Sequence, residues 1–459
     1  MRLATLLGPD LKALQADPEA LREAFREFHP EDVAELLDDL PPKDVAELLK
    51  ALPTEMAADF LERLPVEKQH DIVELLEDRD AVELLTEMDP DDRADFIEEL
   101  DDHEQKAILE KLGEADPEIV EETQELLRFD PYTAGGLMTT EYVGLAPETK
   151  VWEAIEEVRR HAREGEAETV YYIYVVGYGH KLLGVVSLRD LILSEPAQAL
   201  ADIMTEKVVK VSATTEQEEV ARIIARYDLA AIPVVDDEHE ELLGVVTVDD
   251  VVDVVIEEAT EDAQRMGGMV PLDESYFATG FFELVWKRGI WLVLLFFGQF
   301  LTATVMESNE AALATMVELA IFIPLIISTG GNAGSQSSTL IIRALSVGEA
   351  APRDWHRILG REVLMGVALG LLVAGIGFMR AYFAGDRVEP LELGLTVGVS
   401  IVAVVLTATV VGSMVPLLMR RAGLDPAVSS TPFIASLVDV LGLLVYFAVA
   451  RAIVGSFVH

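Results

Sequence analysis

Ala435-Ser436-Leu437-Val438-Asp439-Val440-Leu441-Gly442-Leu443-Leu444-Val445-Tyr446 sets one carboxylate in the middle of an apolar run. The run extends over about Pro432–Val454, enough for a helix that crosses a bilayer. A carboxylate near mid-bilayer costs at least ~2.5–3.5 kcal/mol on insertion scales. No Lys or Arg falls at similar depth in the other apolar runs. Asp439 must therefore be protonated, face water or meet a cation. Ala435 and Gly442, at i−4 and i+3, share its helix face and leave room around it. Mg²⁺ keeps its waters and is usually bound through one or two carboxylates plus water. A roomy site with one aspartate suits such a hydrated ion. A protonated aspartate bonded to a neighbouring helix is the plainer reading. Ionisable groups inside membranes are functional by default, which favours the ion.

Outward from this run, four more apolar stretches read as membrane helices: Gly289–Val305, Ala311–Ile327, Val363–Met379 and Leu393–Leu418. Lys287 and Arg288 precede the first. Arg343, Arg353, Arg357 and Arg361 follow the second, and Arg420 and Arg421 follow the fourth. The intervening loops are poor in bases. Basic loops stay inside, so the N-terminus is expected inside and the C-terminus outside. Pro324 and the glycines of Ile323–Thr339 are expected to interrupt the second helix. Irregular backbone at that depth is tolerated only against protein or a water-filled path. Asn332 and freed carbonyls would offer neutral oxygens to an ion, while close packing through small residues explains the glycines equally well. Glu318 is a further acid in that helix, either near the outer mouth or snorkelling to the interface.

The rest of the chain is of another kind. Residues 1–280 hold 24 basic and 70 acidic side chains of the formal net charge of −47, and the remainder is nearly neutral. So acidic a surface repels nucleic acid and anionic lipid headgroups and attracts cations. There is no cysteine, which excludes disulfides, zinc–thiolate sites and cysteine nucleophiles. Met1–Gln15 lacks the apolar core of a signal peptide, so the acidic part is expected in the cytoplasm. DVAELL recurs at Asp32–Leu37 and Asp44–Leu49, twelve residues apart, with Leu-Pro breaks at Leu40-Pro41, Leu52-Pro53 and Leu64-Pro65. Short one-faced helices of this kind stack into a superhelix. Residues 137–260 contain two units with the same order of parts. Leu183-Gly184-Val185-Val186-Ser187-Leu188-Arg189-Asp190-Leu191 closes the first, and Leu243-Gly244-Val245-Val246-Thr247-Val248-Asp249-Asp250-Val251 closes the second. In each, a β-branched strand leads into a helix with Asp near its N-terminus. No phosphate-binding Walker loop is present, which argues against ATP-driven pumping.

The duplicated units resemble a tandem pair of CBS domains. Together with the stretch Pro324–Thr339, the Asp439 segment and the acidic helical N-domain, the chain resembles the MgtE family of magnesium transporters. The expected organisation is a multidomain membrane protein: an α-helical superhelical N-domain (1–130), an α/β tandem CBS pair (131–260), a connecting helix (261–288) and a five-helix all-α transmembrane domain (289–459). The resemblance implies a homodimer in membrane lipid with a central pore for Mg²⁺, closed by Mg²⁺ binding to the cytosolic acids. For the pore it implies Asp439, Ala435 and Asn332, and near the inner mouth Asp425. For sensing it implies Asp91 and Asp95 in the N-domain. It adds Glu218, Ala225 through its carbonyl, and Asp228 within the second CBS unit. Asp250, Asp253, Glu258, Glu261 and Asp262 complete the set. Tyr172, Arg189 and Asp190 fit an ATP site, although Leu229 stands where an aromatic would face adenine. Thr431 stands where a relative has Asn. The crowding of acids around Asp250–Asp262 carries its own argument. Like charges three and four apart repel on a helix, and divalent cations relieve that repulsion. Transport of Co²⁺ or Ca²⁺, or proton-coupled transport, would use Asp439 equally. An intramembrane aspartyl protease would need two membrane carboxylates.

Overall fold

The computed structural model describes residues 22, 25–26, 28–164, 170–272, 276–277, 279–310, 317–383 and 389–453. Met1–Gln15, the first part of the expected second span (311–316) and Val454 lie outside these. The chain forms two compact units, Met1–Ile256 and Glu257–His459.

From Pro30 onward the described residues of the first unit form seven helices that start every twelve residues. They are α1 (Pro30–Asp38), α2 (Pro42–Leu49), α3 (Thr54–Leu61), α4 (Val66–Val73), α5 (Asp78–Glu87), α6 (Pro90–Glu98) and α7 (Asp102–Ala115). An eighth, α8 (Pro117–Leu126), follows. Proline sits at the first turn of α1, α2, α6 and α8 and caps α3 and α4, where a missing N–H costs nothing. The period also fixes the buried face. Val33, Ala34, Leu36 and Leu37 in α1 are matched by Val45, Ala46, Leu48 and Leu49 in α2 and by Ala57, Ala58, Phe60 and Leu61 in α3. Each helix packs on the one two further along, which makes one continuous core and a solenoid.

Two equivalent three-stranded sheets follow. In the first, β1 (Val143–Leu145) runs parallel to β2 (Tyr172–Val176), and β2 antiparallel to β3 (Leu182–Ser187). Helix α9 (Val151–Glu164) links β1 to β2, and two short helices, α10 (Leu188–Leu193) and α11 (Leu200–Ile203), lead on. In the second, β4 (Val211–Ser212), β5 (Ala231–Val235) and β6 (Leu242–Thr247) repeat the order, with α12 (Gln217–Tyr227) between β4 and β5. Each unit lends its opening segment to the other: Thr139 bridges Val245 and Thr205 bridges Val185. The glycine of each Leu-Gly-Val-Val motif admits this exchange. A Cβ on Gly244 would strike the Thr139 carbonyl and Met138, and one on Gly184 would strike Met204.

Helix α13 (Val248–Met266) begins in the first unit and ends in the second. The second unit continues with α14 (Phe281–Glu307), α15 (Val317–Ser346), α16 (Trp355–Tyr382), α17 (Pro390–Arg421) and α18 (Thr431–Ile453). Helix α17 is central and packs on α15, α16 and α18, while α14 packs on α18 alone among these helices to any extent. Helices α14, α16, α17 and α18 are long and apolar enough to cross a membrane. Helix α15 is long enough, but its second half is polar. The expected interruption of this helix is not found: α15 is continuous through Pro324 and Gly330-Gly331. A proline removes one intrahelical bond, which a long packed helix tolerates. The glycines serve close approach instead. Gly334 and Gly412 bring α15 and α17 so near that a Cβ on Gly412 would overlap the Gly334 carbonyl.

Candidate ion path and cation-sensing acids

Asp439 lies in the ninth position of the 23-residue helix α18. Its carboxylate is half-buried within the single chain, between α14 and α15. Gln299 on α14 donates from Nε2 to Asp439 Oδ2 at 3.3 Å and to Ser436 Oγ at 3.4 Å. On the other side, Gly331 leaves the space in which a Cβ would sit 3.7 Å from both Asp439 Oδ1 and Ala435 Cβ. Ala435 and Gly331 therefore make the room read from the sequence. Gly442 does not contribute, because it is buried against Val404 of α17. Asn332 is one residue past Gly331 and exposed. With Ser328, Gln336 and Arg343 it forms an exposed polar stripe along α15, at spacings of four, four and seven. Such a stripe does not face hydrocarbon.

At the start of α18, Ser430 Oγ accepts from Phe433 N (3.3 Å) and from Trp291 Nε1 of α14 (3.0 Å). Asp425, in the turn before it, caps Ala427 and accepts from Arg265 Nη1 at 2.5 Å. Arg265 also pairs with Glu261. Asp262 accepts from Ser346 Oγ at 2.9 Å. Glu261 and Asp262 thus gather with Asp425, and an arginine already bridges two of the three. Burial raises both Glu261 and Asp262; Arg265 opposes this at Glu261, and the Ser346 hydroxyl opposes it at Asp262. Glu258 is half-buried on the same stretch.

The remaining sensing candidates fall in the first unit, in three places. Asp250 bonds the Thr247 hydroxyl and N–H at the start of α13; burial pushes it up to about 6, against the Thr247 bonds. This cap repeats the one by which Ser187 Oγ donates to Asp190 Oδ2 (2.7 Å) at the start of α10. Asp253 is exposed one turn on. Glu218 lies in the first turn of α12, whereas Ala225 and Asp228 lie at its end. Seven residues of helix separate Glu218 from Ala225, a rise of roughly 10 Å. One ion on one chain cannot take all three.

Sequence reasoning missed the densest group. Carboxylate oxygens of Glu62, Asp89 and Asp92 all lie within 4.8 Å of one another. Three hard oxygens at that separation match the donor set of an octahedral Mg²⁺ completed by water. Burial pushes Glu62 up to about 7, with Asp89 adding to it and Arg63 opposing it. Burial raises Asp92 well above the usual carboxylate range, helped by Glu62, Asp89, Asp95 and Asp250. Asp249 adds to the rise at Asp89. Asp95 and Asp250 therefore border this group, while Asp91 acts on the buried Arg93 instead. One signal was available. Glu62 closes α3, at the end of the helix dipole that disfavours a negative charge.

Residues 323–449 match the family model MgtE, a divalent cation transporter; residues 28–132 match the MgtE intracellular N domain; and 134–195 and 200–257 each match the CBS domain. The chain is 45% identical over 336 residues to the magnesium transporter MgtE of Thermus thermophilus, covering 73% of each. It is 38% identical over 338 residues to the Enterococcus faecalis transporter of the same name, covering 73% of this chain and 72% of that one. Among solved structures, the soluble part of a magnesium transporter is similar at 35% identity and a TM-score of 0.52, over 56% of this chain and 97% of that one.

Proposed function

The chain belongs to the MgtE family of magnesium transporters, and from that premise we propose that it takes Mg²⁺ into the cell through a path lined by Asp439, Ala435 and Asn332. It is a transporter and not an enzyme. The observation that carries the proposed path is Asp439 itself, half-buried beside a polar stripe that one chain leaves uncovered. A second copy of the chain set against that stripe would enclose the path, which supports a homodimer. One aspartate from each copy would then meet a hydrated ion.

In this reading the acids report internal Mg²⁺. Glu62, Asp89 and Asp92, bordered by Asp95 and Asp250, repel one another unless protonated or bound to a cation. Glu261, Asp262 and Asp425 form a second group near the start of α18, with Glu258 close in sequence. Asp91, Glu218, Ala225, Asp228 and Asp253 are further proposed ligands, and Asp253 acts on Asp250. Mg²⁺ binds the compact arrangement better than the separated one, so abundant Mg²⁺ favours a closed path. ATP is a second ligand, supported by Tyr172, Arg189 and Asp190 in the first CBS repeat, where Arg189 is exposed. Equilibrium binding of labelled ATP, lost in Arg189→Ala, tests it.

The transport test is ion flux in liposomes with Mg²⁺ varied separately on each side. Asp439→Ala is expected to assemble and conduct nothing, and raised internal Mg²⁺ to suppress flux in the parent. Flux that survives Asp439→Ala removes this carboxylate from the path. Flux that follows a pH gradient, or that Co²⁺ or Ca²⁺ supports as well as Mg²⁺, favours a carrier or another ion.

A further inference from the structure

Helix α14 carries one amide, Gln299, among the exposed side chains Phe296, Phe297, Phe300 and Leu301. An amide in such surroundings is costly unless it finds a partner on a neighbouring helix. The partner is Asp439 Oδ2, with Ser436 Oγ one turn away on the same helix. Helix α14 is already tied to α18 at both ends. Trp291 donates to Ser430 (3.0 Å) near one end, and Arg451 donates to Asn309 just beyond the other. The middle contact is therefore not needed to dock the helix. It engages one oxygen of the carboxylate and leaves Oδ1 turned toward Gly331, where the polar stripe of α15 passes.

We propose that Gln299 is the positioning residue of the ion path and sets its preference for Mg²⁺ over Ca²⁺. The inference rests on the reading of Asp439 as the ion-facing group. Ca²⁺ readily takes a carboxylate through both oxygens in a flexible shell of six to eight ligands. Mg²⁺ demands a near-ideal octahedron and usually takes one oxygen from each carboxylate, keeping its waters. By holding Oδ2, the Gln299 amide withdraws the second oxygen that a Ca²⁺ shell would use. It also fixes the direction of Oδ1, from which a hydrated Mg²⁺ would be held.

The test is flux of the full-length protein in liposomes over a range of external Mg²⁺, with Ca²⁺ as competitor. Gln299→Met keeps the size and removes the donor. It is expected to raise the half-saturating Mg²⁺ about tenfold, the loss of one charge-assisted hydrogen bond, and to strengthen inhibition by Ca²⁺. Gln299→Glu is isosteric; assayed at alkaline pH, where the bound cation keeps both carboxylates ionised, it also lacks the donor but adds a charge. It is expected to strengthen Ca²⁺ inhibition as well, while lowering the half-saturating Mg²⁺. Opposite shifts in Mg²⁺ affinity with a common gain for Ca²⁺ are not what lost packing produces. Should both variants keep the parent's Ca²⁺-to-Mg²⁺ ratio, whatever their maximal flux, the inference is overturned. Asp439→Asn run alongside separates the two levels. If it conducts like the parent, the path itself is wrong and this inference falls with it. If it is silent while the Gln299 variants keep the parent ratio, only the role of Gln299 is lost.

Discussion

Glu62 shows what an acidic surface costs when helices bring its charges together. Its carboxylate sits at the closing end of α3 beside Asp89 and Asp92, and is pushed up to about 7 by burial first. A folded value above the ordinary 4.5 means that the folded protein holds a proton the unfolded chain gives up. That stabilisation is complete below about 4.5 and disappears as pH rises through about 7. Asp89, Asp92 and Asp250 are raised too and act in the same direction. In chelator, the unfolding temperature of the detergent-solubilised protein should therefore fall between pH 5 and 7.5 and then level off. Mg²⁺ should flatten the slope, and Glu62→Gln should remove part of it. A midpoint that rises across this window in chelator would reject the account. Asp439 was legible because a charge inside an apolar run has few explanations. Glu62, Asp89 and Asp92 were not, being three among 82 acids whose meeting depends on which helix packs on which. Gln299 was missed because an amide carries no charge and its partner lies 140 residues away.

At the scale of elements, the superhelix is held to its last helix by one buried cation. Arg93 of α6 is 2% exposed. It reaches Glu122 (2.8 Å) and Thr123 Oγ (3.0 Å) on α8, and the Met88 carbonyl (2.9 Å) at the end of α5. Glu122 in turn accepts from Thr140, at the entry to the first sheet. Arg93 is buried but the Glu122 side chain is 32% exposed, so removing the guanidinium leaves a partly hydrated carboxylate and two unpaired acceptors, at about 1–3 kcal/mol. Arg93→Met should lose that much in urea unfolding of the purified protein, and should open the segment 88–140 to protease first. A loss below about 1 kcal/mol would mean that Arg93 does not tie α6 to α8. The twelve-residue period was visible at two copies and three Leu-Pro breaks; the structure extends it to seven helices, because later copies keep the spacing of helix starts, keep part of the burial pattern through α6, and lose the letters. The break expected at Pro324 failed for the opposite reason. Proline and paired glycines weaken a helix locally, but packing against α17 and α18 restores what the sequence takes away.

At the scale of the whole molecule, α14 and α18 constrain the course of the chain through the membrane. Trp291 meets Ser430, Gln299 meets Ser436 and Asp439, and Asn309 meets Arg451, so residue numbers rise together and the two helices run parallel. Among the described residues, three long helices lie between them in sequence. If each crosses, the first and fifth point the same way. If polar α15 did not cross, α14 and α18 would be antiparallel. The parallel pair therefore supports a crossing α15 despite its serines, which is reasonable if its polar stripe lines water. The bases before α14, after α15 and after α17 are expected to put the acidic unit inside, where it would meet the ion whose entry it is proposed to limit. The chain has no cysteine, so an introduced thiol reports its own position. Ser308→Cys, just past α14, should react with a membrane-impermeant maleimide on intact cells. Leu424→Cys, between α17 and α18, should react only after the membrane is opened. Labelling of both positions from one side would leave an even number of crossings between them and would put α15 back on the membrane surface, with its polar stripe beside no path at all.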